Sequence, residues 1–233
     1  MHLAHENSKK IVVSKFLPFL VCFAASLFCF YEFIQGNMFS SIADNLMQDF
    51  NIGADKMTYL SSIYYLSNVI FLFIAGYMLD HYSPKKTLLW AMLSCIISTF
   101  LFAHTSSYTV ALICRFIAGI GSAFCFLGPI RVASYWFPVN RMAMITGMIV
   151  TFAMTGGILS QYPLTHLVQL MGWRSAVDMV GWFGLFLFFC MLFGIRETKN
   201  SPKVQHSLVH ISFIDTFKSI YMNLNIMKSA LYT

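Results

Sequence analysis

Long apolar runs separated by short polar segments dominate the chain. Six of them, residues 16–39, 57–79, 87–103, 108–137, 143–168 and 175–195, read as membrane spans. Crossing about 30 Å of hydrocarbon takes roughly 20 mostly apolar residues at about 1.5 Å per residue. Lipid offers no water to peptide N–H and C=O groups, which leaves only helices or closed barrels, and unbroken apolar runs select helices over strands. The predicted fold is therefore all-α, a polytopic bundle of six transmembrane helices. A polar N-terminal segment, residues 1–15, precedes it, and a polar linker, residues 196–224, follows. In the linker Ile211, Ile214, Phe217, Ile220, Tyr221 and Leu224 recur at helical spacing, with Asp215 and Lys218 off the stripe. That pattern fits either a short amphipathic helix in the headgroup layer or a frayed linker. Residues 225–233 read as the first turns of a further span that is then cut off.

Composition supports this reading, since the chain is 58% hydrophobic and only 10% charged, whereas soluble domains carry about 25% charged residues. The lipid bilayer is thus the first expected partner. A net charge of +6 would fit nucleic acid only if the basic residues shared one face. They are scattered through short loops, so no nucleic-acid partner is expected. What they report is topology. Lys9, Lys10, Lys15, Lys85, Lys86, Arg131, Arg141, Arg196, Lys199 and Lys203 fall at one set of span ends, and only Lys56 and Arg174 at the other. The positive-inside rule then places the N-terminus and the linker in the cytoplasm, with the protein in the plasma (inner) membrane. Trp90 and Trp136 near inner ends and Trp173 near an outer end fit interfacial belts. The first apolar run is about twice the length of a signal-peptide core and has no evident cleavage site, so a retained helix is expected. The six cysteines lie in apolar runs without CxxC spacing, and the seven histidines show no HExxH pattern. Neither a metal nor another cofactor is expected, and no residues support an enzyme.

Two ionisable residues stand out as embedded. Arg115 lies seven residues in from Tyr108 at the outer start of the fourth span, and Glu32 lies seven residues in from Phe39 at the outer end of the first. Both are therefore roughly 10 Å below the outer surface and can meet. An arginine this deep is functional by default, because stranding its charge in lipid costs several kcal/mol unless it faces a wet cavity or a partner. A substrate-handling pair and a structural ion pair bracing two helices both satisfy that condition. The same arithmetic puts Asp80, 23 residues from Met57, and Arg131, 23 residues from Tyr108, each roughly 35 Å along its helix and so at the inner interface. A charge latch between the second and fourth spans is expected there.

The motifs add a resemblance. The second and third spans meet at Gly76-Tyr-Met-Leu-Asp80-His-Tyr-Ser-Pro-Lys85-Lys86, and the fourth carries Arg115 with Gly119 and Gly121 at +4 and +6. Trp136-Phe-Pro138 with Arg141 follows, and Gly172-Trp173-Arg174 precedes the sixth span. In this order these landmarks resemble the major facilitator superfamily of transporters. Two departures occur in the first motif, His81 where the family usually has Arg and Ser83 where it usually has Gly. The resemblance implies two six-helix halves, with substrate held between them near the midplane, of which this chain supplies the amino-terminal one. The second half would come from a missing C-terminal part or from a partner chain. In such a fold the first and fourth helices line the cavity, which implies Glu32 and Arg115 beside the transport path, and with the polar Gln35, Asn37 and, from the fifth span, Gln161 they are the candidate substrate and coupling residues. Gly76, Asp80, Lys85, Lys86 and Arg131 become the gating cluster, securing contact with the other half when the cavity opens outward. Gly119, Gly121, Gly147, Gly156 and Gly157 are expected to let helices approach closely. The fifth span lacks the fuller glycine and proline pattern of many antiporters, which leaves antiport unsupported and symport or uniport as the reading. The expectation is an alternating-access secondary transporter of a small polar solute, with proton coupling open. The rival is a remnant or scaffold that inserts but carries nothing. An amino acid, small peptide, organic acid or sugar-like solute all fit the polar residues, and the arginine tilts the choice toward a carboxylate.

Overall fold

The computed structural model describes residues 16–196. The expected N-terminal segment, the amphipathic stretch and the further span lie outside the described residues. Among these the architecture is all-α: α1 (Leu17–Phe50), α2 (Ala54–His81), α3 (Pro84–His104), α4 (Tyr108–Ser122), α5 (Leu127–Trp136), α6 (Met142–Met171) and α7 (Trp173–Gly194). A single 3-10 turn, Val139–Arg141, leads into α6. Counting α4 and α5 together, six helical segments are long and apolar enough to cross a membrane. The middle of the bundle belongs to α1, in which 67% of the apolar window is buried, against 22% in α2 and in the segment containing α6.

Two elements depart from the apolar runs. The first helix continues to Phe50, beyond the predicted end at Phe39, because the extra turns are amphipathic: Ile42 and Leu46 are fully buried while Asp44, Asn45, Gln48 and Asp49 face outward. A run-length criterion stops where polar residues enter, but one buried stripe suffices to hold a helix. It ends at Asn51, whose left-handed backbone (φ 50°) closes the last turn onto Gln48 and Met47. The second departure lies in the predicted fourth span, which is broken. From Ala123 to Cys125 the N–H groups reach back three residues, to Ile120, Gly121 and Ser122, and the chain resumes as α5. Pro129 offers no N–H to the carbonyl of Cys125 four residues earlier, and the Cys29 thiol donates to that oxygen at 2.5 Å.

Packing in lipid depends on close approach rather than on expulsion of water. At Gly119 a Cβ would fall 1.8 Å from Ser67 Oγ and 2.3 Å from the Tyr64 carbonyl, so α4 lies directly on the α2 backbone. Gly121 against Cys95 and Gly156 against the Phe30 carbonyl are similarly tight. Gly147 departs from the expectation, since nothing lies within 4 Å of its Cβ position, and Gly157 makes only an ordinary contact with Asn37 at 3.5 Å.

The two ends of the bundle are tied differently. At the end where α1 and α3 finish, Arg174 holds Asp49 through Nε (3.1 Å) and Nη2 (2.8 Å), and its Nη1 donates to the carbonyls of Ala103 and Thr105. Trp173 Nε1 donates to the same carboxylate at 3.2 Å. Trp173 is buried against Phe50 and Phe102, whereas Trp90 is exposed. At the opposite end Arg131 Nη2 meets Asp80 Oδ1 at 3.0 Å, a contact between α2 and α5.

Candidate functional site

The site forms where α1, α2 and the break after α4 converge. On α1, Glu32, Phe33, Gly36 and Asn37 present one arc; on α2, Tyr64, Tyr65 and Asn68 recur at helical spacing; the break supplies Ser122, Cys125 and Phe126. Together they line a pocket of about 210 Å³. Both polar and aromatic groups reach it, a mixture that suits a small polar ligand.

The embedded charges sit at one level but do not form the direct ion pair their depth allowed. Tyr64 lies between them. Its hydroxyl donates to Glu32 Oε2 at 2.9 Å, and its ring covers the guanidinium of Arg115 at 4.3 Å from the centroid. Phe39 covers the guanidinium on another side at 4.0 Å, so the cation rests on two aromatic faces. Glu32 lines the pocket whereas Arg115, only 2% exposed, does not. One guanidinium nitrogen, Nη1, reaches the Gln35 carbonyl at 3.5 Å. Nε and Nη2 of Arg115 and Oε1 of Glu32 are buried without a hydrogen-bond partner. Such atoms cost free energy as they stand and call for an explanation.

The other predicted residues divide. Asn37 lines the pocket, with its amide donating to the Phe33 carbonyl at 2.8 Å. Gln35 turns away into the seam with α3, where its amide donates to Tyr31 (2.8 Å) and Thr99 (2.5 Å). Gln161 is exposed and outside the lining; its carbonyl accepts from Thr165 at 2.5 Å, beside Ser41, which bonds the Ser160 carbonyl at 2.7 Å. In the inner cluster Gly76 faces Leu127 at an ordinary 3.8 Å, Lys85 is half-buried and Lys86 exposed. Tyr64, Tyr65, Asn68 and Ser122 are pocket residues that sequence reasoning missed. Asn68 donates to Ser122 Oγ at 2.7 Å and so ties α2 to the break. A lone asparagine inside the run 57–79 was the available signal, since polar groups in a span are seldom incidental. Among the described residues no cluster of His, Cys, Asp or Glu could hold a metal ion.

Fold and pocket define a polytopic membrane protein built like a solute carrier. Its residues 21–233 match the profile of the Major Facilitator Superfamily, and the chain belongs to that family. It is 29% identical over 145 residues to the probable sulfoacetate transporter SauU of Cupriavidus necator, covering 60% of this chain and 33% of that protein. To the probable galactarate/D-glucarate transporter GudP of Bacillus subtilis it is 22% identical over 205 residues, 85% of this chain and 44% of the relative. To the galacturonate transporter of Dickeya chrysanthemi it is 22% identical over 177 residues, 74% and 50% of the two chains. The chain thus spans between a third and a half of the length of these relatives.

Proposed function

We propose that this chain forms the substrate-binding half of a secondary transporter for a small organic anion, working by alternating access with a second six-helix half and with Glu32 as carrier of a coupled proton. The carrying observation is the pair of partnerless nitrogens on Arg115. Nε and Nη2 share one edge of the guanidinium, and that edge is the one that takes both oxygens of a carboxylate side by side. The names of the three relatives lend support, since sulfoacetate, galactarate, glucarate and galacturonate all carry a carboxylate. Glu32 beside the same pocket would repel an anion when ionised and admit it when protonated, which couples the two movements. The second half would cover the open faces of α2 and α6. The Asp80–Arg131 contact would serve as the releasable inner latch. The loop charges favour a cytoplasmic N-terminus, in keeping with a carrier of the inner membrane.

Uptake of galacturonate and sulfoacetate into proteoliposomes, with the second half present, tests the reading. Arg115→Lys keeps the charge but loses the two-pronged edge, so uptake is expected to fall roughly 100-fold at unchanged protein levels. Wild-type uptake by Arg115→Lys, or no uptake of either anion by the wild type, would overturn it.

A further inference from the structure

We propose that the Tyr64 side chain is a movable cover over Arg115, one that must swing off the guanidinium before an anion in the pocket can reach the open Nε/Nη2 edge. The inference rests on the anion reading above but concerns a residue that reading does not require. Three observations carry it. First, Tyr64 lines the pocket while Arg115 does not, and the tyrosine ring lies 4.3 Å from the guanidinium carbon, so the ring separates ligand space from the cation. Second, only side chains hold the ring's outer end, through the 2.9 Å hydrogen bond from its hydroxyl to Glu32 Oε2 and a further one with Ser122. Third, backbone and side chain of Tyr64 are held unequally. The backbone is pinned, because Gly119 packs on the Tyr64 carbonyl and Ser67 Oγ donates to that carbonyl at 2.9 Å. The hydroxyl end faces Gly36, where an added Cβ would make an ordinary 3.9 Å contact with the Tyr64 hydroxyl, so the glycine leaves about one methyl group's room beside the otherwise buried ring. Motion is therefore directed into side-chain rotation rather than helix displacement.

The arrangement has a consequence for selectivity. Closed, the ring supplies Arg115 with a cation–π surface in place of solvent and keeps stray anions away. Open, it exposes a two-pronged donor that only a carboxylate or a similar planar pair of oxygens fills. A neutral sugar of similar size offers nothing to replace the lost ring contact and is excluded by that difference. Tyr64 is thus a positioning residue that acts through Arg115.

The test reads Arg115 itself. Phenylglyoxal modification of the full chain in detergent, followed by peptide mass spectrometry, gives the rate at Arg115, with the outer arginine Arg174 as internal reference. Tyr64→Phe, which keeps the ring and removes only its hydroxyl, should raise the Arg115 rate about tenfold, the factor matching loss of one hydrogen bond to a charged acceptor. Tyr64→Ala, which removes the ring as well, should raise it further, with the Arg174 rate unchanged in both. Should Tyr64→Ala fail to fold, Tyr64→Phe decides alone. Equal Arg115 rates in the wild type and in Tyr64→Phe would overturn the cover. Because the reagent reports accessibility rather than transport, a failure of galacturonate uptake would count against the anion reading and leave these rates to decide the cover.

Discussion

Two arginines in this bundle face opposite circumstances. Arg174, at one end of the bundle, has Nε, Nη1 and Nη2 all engaged, by one carboxylate and by two carbonyls at the end of α3. Arg115, in the interior, has one nitrogen in a long contact and two without a partner, although burial makes the open groups far more costly there. A site evolved only for stability would satisfy the deeper cation first. On the proposed function, Arg174 serves architecture and Arg115 waits for a partner from the pocket.

Breaking the satisfied member should cost stability. Arg174→Ala removes the contact with Asp49 and uncovers two carbonyls at the α3 terminus. With 35% of the arginine side chain exposed, water compensates in part, so the loss is expected to be about 2 kcal/mol. Thermal unfolding in detergent should register it as a lower Tm, while the KM for galacturonate stays at the wild-type value. A changed KM with an unchanged Tm would reverse the assignment.

How much of this was legible in the sequence follows from which signals survive without coordinates. The apolar runs anticipated the six helical segments long and apolar enough to cross a membrane among the described residues, because hydrocarbon imposes length, and counting residues placed Glu32 and Arg115 near one another, where Tyr64 touches both. Depth, however, says nothing of direction around the helix. At about 100° per residue, Glu32, Phe33, Gly36 and Asn37 span one arc of α1, and Gln35 lies roughly 130° from its centre. That is why Gln35 bonds Tyr31 and Thr99 instead of lining the pocket. Tyr64 went unnoticed because a tyrosine in an apolar run reads as packing. The break after Ser122 was hidden in an uninterrupted hydrophobic stretch, with Gly128 and Pro129 as its only written trace. The Asp80–Arg131 contact was legible because both residues stand at equal counts from Met57 and Tyr108, the starts of their apolar runs.

A smaller effect is expected at that inner contact. The Asp80 side chain is 61% exposed, and ion pairs in that setting contribute about 1 kcal/mol or less. Asp80→Asn should therefore leave Tm nearly unchanged. As a latch the pair would bias the balance between outward- and inward-open states, so the variant should alter the rate of galacturonate uptake with the second half present. Identical kinetics in the variant and the wild type would reduce the contact to a surface ion pair of no functional weight.

The central claim is that Glu32 and Arg115 act on a ligand rather than on each other, and the double variant Glu32→Gln with Arg115→Gln measures this most directly. Removing both charges leaves neither one stranded, so folding should survive where a single removal leaves an uncompensated charge in the interior. Galacturonate uptake and thermal unfolding should be followed on the same preparation, with the second half present. The account predicts a Tm close to the wild-type value together with abolished uptake, because two neutral amides neither carry a proton nor hold a carboxylate. Wild-type uptake by a stable double variant would contradict it and leave the two residues as a brace between helices.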